Sequence, residues 1–136
     1  DVYKRQIREA PPLPSSLKRK VTGSIIGNWT SATVSTEWSY LDWPVSSADL
    51  EKLRGVRFVF TSGSHALEID GVELLENGKV IDRDRHAGLA GKPSRGNFYK
   101  LSLPKGIHAN NGCSLRARVR SVGGKSSNGK LELVKE

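Results

Sequence analysis

Methionine is absent from the 136 residues, and cysteine occurs once, at Cys113. A single thiol excludes an internal disulfide and a cysteine-built zinc site. No apolar run approaches the ~18 residues needed to cross a bilayer as a helix, which excludes a membrane-embedded chain of that kind. The first residues lack the charged, apolar, small-residue order of a secretory signal. Catalytic vocabulary is thin as well: there is no Gly-x-Ser-x-Gly elbow, no His-Glu-x-x-His pair and no phosphate-binding glycine loop. Helical periodicity is confined to residues 46–53, where Ser46 or Ser47 could cap one or two turns carrying Leu50 and Leu53.

What is present describes one folded unit. Hydrophobic residues make up 36% and charged residues 26% of the chain, too apolar for wholesale disorder and enough for one domain of ~100–150 residues. The net charge is +8, but residues 1–20 contribute half of it, with six basic side chains against two acidic ones. Residues 1–19 read as a disordered leader, with Pro11, Pro12 and Pro14 in an extended linker. Its first six residues, Asp1-Val2-Tyr3-Lys4-Arg5-Gln6, resemble a translated transposon end of the kind used in sequencing libraries, or else form a natural basic arm. The first reading makes the chain the downstream fragment of a longer gene. The folded module is expected over residues 20–136.

Within the module the apolar period is two, with dense turn signals. Val56, Phe58 and Phe60 alternate with Arg57, Val59 and Thr61. Leu67 and Ile69 fall on odd positions but Val72 and Leu74 on even ones, so Asp70-Gly71 should carry a bulge or tight bend. Glu76-Asn77-Gly78-Lys79 reads as a hairpin, with residues 79–84 as its return strand. Tyr99, Leu101 and Leu103 form another run, ended by Pro104-Lys105-Gly106. On the next strand Leu115, Ala117 and Val119 oppose Arg116, Arg118 and Arg120. The turn Ser126-Ser127-Asn128-Gly129 should precede a last strand holding Leu131 and Leu133. The pattern predicts an all-β, antiparallel, jelly-roll-like sandwich with at most one short helix.

Several segments carry a resemblance: Ile26-Gly27-Asn28-Trp29, residues 58–69, residues 72–79, Asp84-Arg85-His86-Ala87-Gly88 with Gly91, residues 97–101, and Ser127-Asn128-Gly129. Together they resemble the C-terminal β-sandwich ancillary, carbohydrate-binding-like domain of bacterial glycoside hydrolases of the hexosaminidase and fucosidase type. The resemblance spans roughly residues 25–134. It implies a non-catalytic module of a secreted bacterial enzyme, extracellular or periplasmic, that binds glycan or braces the parent's catalytic domain. That family usually shows Asp-Ser-x-Gly where this chain has Ser126-Ser127-Asn128-Gly129, so a carboxylate is missing there.

Candidate chemistry can then be weighed residue by residue. Glu68, Asp70 and Glu73 could supply the paired carboxylates of a glycosidase, although 14 acidic residues make some proximity expected by chance. His65, His86 and His108 suggest no triad. Asp82, Asp84 and His86 share one face of an extended segment, and Asp82 with Asp84 could hold calcium. More simply, Arg83 and Arg85 pair with neighbouring acids while Asp84 and His86 anchor the following loop. Trp38 and Tyr40 share a face suited to the C–H side of a sugar ring, whereas Trp29 and Trp43 read as core. Arg116, Arg118 and Arg120 form a stripe that could grip an anionic chain, or a solvated face neutralised by cross-strand acids. A nucleic-acid partner is the less favoured alternative, since few aromatics interleave with the basic residues. Asn28-Trp29-Thr30 also fits a glycosylation sequon, accidental in a bacterial protein.

Overall fold

The computed structural model describes residues 22–104 and 112–135. The expected leader, Lys105-Gly106 of the expected chain stop, and His108 lie outside the described residues. Among the described residues nine strands and one short helix follow in order: β1 (Thr22–Trp29), β2 (Ser39–Val45), α1 (Ser47–Leu50), β3 (Leu53–Gly63), β4 (Leu67–Glu76), β5 (Lys79–Asp84), β6 (Gly88–Ala90), β7 (Phe98–Lys100), β8 (Cys113–Ser121) and β9 (Ser127–Lys135).

Two antiparallel sheets hold these strands, the first in the order β1-β9-β3-β7 and the second β2-β8-β4-β5, with β6 also paired to β4. Early and late strands interleave in each sheet, which is the double Greek-key arrangement of a jelly roll. The expected fold class is therefore what the chain adopts. Between the sheets lies one apolar layer, in which Leu67, Ile69, Val72, Leu74, Leu115, Val119, Leu131 and Leu133 are completely buried. Four aromatic rings bind the layer together. Phe58 sits at its middle, with ring centroids of Trp29, Trp43 and Tyr99 at 5.9, 6.3 and 5.7 Å. Each buried indole finds an acceptor: Trp29 Nε1 donates to Ser127 Oγ and Trp43 Nε1 to the Asn28 carbonyl, both at 3.0 Å. Trp29 and Trp43 are core, as their positions suggested.

Local expectations mostly hold. Asn77 and Gly78 have φ of 50° and 81°, the left-handed pair that a primed two-residue hairpin requires. Pairing of β4 with β8 shifts register between Ile69 and Gly71, where the apolar phase slips. Ser46 caps α1, its hydroxyl accepting from the Asp49 amide at 3.2 Å.

Three expectations need correction. Ser127-Asn128-Gly129 is strand, not turn; the chain reverses earlier, through residues 122–126. Both edges of that segment are taken, since Gly129 faces Trp29 on β1 and Phe60 on β3. A side chain at Gly129 would run into the Trp29 ring, so its glycine serves close packing rather than a bend. Secondly, the run through Leu101 and Leu103 has only Phe98–Lys100 as ladder. Along its outer edge, side chains stand in for a neighbouring strand: Asp84 Oδ2 accepts from the Lys100 amide at 2.8 Å and Asp82 Oδ2 from the Ser102 amide at 2.9 Å. Thirdly, Gly88–Ala90, expected within a loop, pairs with β4 as a short strand.

A candidate ligand-binding face

β8 alternates strictly between buried and half-buried residues, so Arg116, Arg118 and Arg120 all emerge on the outer face of the second sheet. On one side β8 pairs with β4, whose acids oppose them. Arg116 donates from Nε and Nη2 to Glu73 Oε1 at 3.0 and 2.7 Å. Arg118 Nη1 donates to Asp70 Oδ2 at 2.9 Å and Arg120 Nε to Glu68 Oε1 at 2.7 Å. The β4 bulge makes this row continuous. Glu68 and Asp70 have even numbers and Glu73 an odd one, and the extra residue at Asp70-Gly71 brings all three to one face.

On the other side β8 pairs with β2, where the aromatics stand. The Arg118 and Arg120 guanidinium carbons both lie 4.6 Å from the Trp38 ring centroid, and that of Arg116 lies 5.3 Å from the Tyr40 centroid. These distances are within cation–π range, each contact worth about 0.5–1 kcal/mol where exposed. Three rows result: flat aromatic, guanidinium, carboxylate. The Arg116 guanidinium is held above its usual range, first by its hydrogen bond to Glu73. Trp38 lies one residue before β2 rather than on it, and Tyr40 is the most exposed aromatic among the described residues, at 59%.

A shallow depression of about 190 Å³ opens where this face meets β5. Tyr40, Arg116 and Arg118 form one wall, Asp70, Gly71 and Glu73 the floor, and Arg83 with Arg85 the far wall. Gly71 keeps the floor open, because a Cβ there would lie 3.0 Å from Arg85 Cγ. A second hollow of about 280 Å³ lies at the β6 end, between Glu68 and Arg95.

The expected site residues thus divide. Trp38, Tyr40, Arg116, Arg118 and Arg120 come together. Asp84 and His86 do not join them; they turn toward the first sheet and spend their polar atoms on the chain itself. His86 Nδ1 lies 3.0 Å from Asp84 Oδ1 and Nε2 lies 2.9 Å from the Gly96 carbonyl, and the ring stacks on Tyr99 at 4.0 Å. Asp82 and Asp84, the calcium candidates, accept the amide hydrogen bonds described above. Among the described residues no three His, Cys, Asp or Glu side chains gather as a metal would require. Glu68, Asp70 and Glu73, considered as a catalytic pair, each hold an arginine.

Arg83 and Arg85 are the members of the face that local sequence pattern assigns only as partners of nearby acids. Their signal was available in the run Asp82-Arg83-Asp84-Arg85, since period two on an extended segment sends both acids one way and both arginines the other.

No family model matches the chain, and no curated protein matches it either. No helix among the described residues is long and apolar enough to cross a membrane. The class defined by fold and face is an antiparallel jelly-roll sandwich with an aromatic and ion-paired outer sheet.

Proposed function

We propose that the chain is a non-catalytic carbohydrate-binding module of a larger secreted bacterial enzyme that acts on glycans, working outside the cell or in the periplasm. The observation that carries this reading is the three-row face of aromatic, guanidinium and carboxylate groups. Sugar rings present a C–H face that packs on an aromatic plane and a rim of hydroxyls that both donate and accept. Trp38 and Tyr40 supply the planes. Beside them each arginine keeps N–H donors beyond those given to its acid, and each acid keeps lone pairs. Ordered by mutual pairing, these groups lose little freedom on binding. The resemblance to ancillary domains of glycoside hydrolases points the same way.

Two alternatives fit less well. A brace for a catalytic domain calls for one broad apolar face, yet the exposed large apolar residues, Ile25, Tyr40 and Val122, lie on different strands and loops. Binding of nucleic acid calls for unpaired cations along a track, and here Arg116, Arg118 and Arg120 each face a carboxylate.

Screening the chain against a glycan array, with and without calcium, tests the proposal. Binding is expected, with Trp38→Ala and Tyr40→Ala each weakening it about tenfold, a loss in line with truncating an aromatic contact, while melting temperature changes little. Failure to bind any glycan, or tight salt-sensitive DNA binding that survives removal of residues 1–20, would overturn it.

A further inference from the structure

Resting on the carbohydrate reading, we infer that the depression between Tyr40 and β5 selects an acidic sugar, a uronic acid whose carboxylate is gripped by Arg83 and Arg85. Four guanidinium groups line the hollow, those of Arg83, Arg85, Arg116 and Arg118, against the two carboxylates of Asp70 and Glu73. Two positive charges are left over, and the structure identifies where. Arg116 and Arg118 are committed to Glu73 and Asp70 at 2.7 and 2.9 Å. Arg85 reaches only the already engaged Asp70, at 3.6 Å, with 65% of its side chain exposed. The Arg83 side chain has no ion-pair or hydrogen-bond partner among the described residues. The surplus therefore sits on the β5 side, on two residues whose side chains face the same hollow.

Guanidinium forks fit planar carboxylates with two parallel hydrogen bonds. The Tyr40 ring on the opposite wall offers a surface for the sugar carrying that group. The hollow is smaller than the ~300 Å³ or more of typical small-molecule sites, which suits one ring of a chain running across the face. A continuous polyanion suits it poorly. Beyond the depression Arg120 is held by Glu68 at 2.7 Å, and exposed Asp42 stands across from Arg116 on β2, so successive negative charges would meet paired or like-signed groups.

Calorimetric titration of the full chain decides the matter, using otherwise neutral tetrasaccharides that carry a single galacturonate, glucuronate or mannuronate, each beside its carboxyl-reduced neutral counterpart. At least one uronate should bind about tenfold or more tightly than its neutral partner, as expected for charge-assisted hydrogen bonds. That preference should shrink with added salt. The double variant Arg83→Ala/Arg85→Ala should abolish the preference, bringing the affinity for the uronate down to that for its neutral partner measured on the same variant. Equal affinity for charged and neutral partners overturns this inference and leaves the carbohydrate reading standing, as does a preference that survives the double variant. No binding to any of the six sugars overturns the inference, and the glycan array then decides the broader reading by itself. Tighter, Arg83- and Arg85-dependent binding of an oligonucleotide identifies the anion as phosphate and overturns the uronate assignment.

Discussion

Tyr99 ties the two sheets together through a single hydroxyl. It is completely buried, donates to the His86 carbonyl at 2.9 Å and the Ile69 carbonyl at 3.2 Å, and lies flat against the His86 ring. Burial, and then the negative charges of Asp84 and Asp70, push its ionisation upward. In the unfolded chain a tyrosine loses its proton near pH 10. Because the folded form holds the proton longer, this contribution to stability is whole below pH ~10 and drains away as pH rises further. Tyr99→Phe should cost about 1–3 kcal/mol at pH 7, since buried carbonyls lose their donor. It should also make the alkaline loss of stability shallower, which urea titrations at pH 7 and pH 11 would read. Cys113 is the other buried ionisable side chain of this kind, its thiol pushed up by desolvation and by Glu76.

Strands show how far composition misleads about where a chain turns. Gly129 was read within a turn, yet it sits in β9 between β1 and β3, where the Trp29 ring fills the space a side chain would need. Gly129→Ala should therefore destabilise the fold by at least about 1–3 kcal/mol, the usual cost of overpacking, measured as a drop in thermal midpoint. β8 was legible because its apolar alternation is uninterrupted, and β3 because Val56, Phe58 and Phe60 alternate between its two register shifts. The β4–β5 hairpin was legible because Asn77-Gly78 has few other uses. β1 was not, since Gly23, Ser24 and Gly27 dilute its pattern and a register shift between Ile25 and Gly27 breaks the alternation. β7 was read too long because the buried and exposed alternation runs on through Leu101 while pairing with β3 covers only Phe98–Lys100, and local pattern does not record where a long-range partner ends.

At the scale of the molecule, what pattern could not supply was strand order. Parity placed Trp38 with Tyr40 and aligned Arg116, Arg118 and Arg120, but only the order β2-β8-β4-β5 brings aromatics, guanidinium groups, acids and a second arginine pair side by side. The same ordering sets the first strand against the last in the other sheet, where Thr22 stands directly opposite Lys135, a separation of roughly 5 Å between neighbouring antiparallel backbones. In this sandwich the first and last described strands are held side by side by hydrogen bonding rather than by the covalent thread. Joining residue 135 to residue 22 through a few glycines and cutting instead between Asn77 and Gly78 should give a circularly permuted protein that still melts cooperatively, as calorimetry would show.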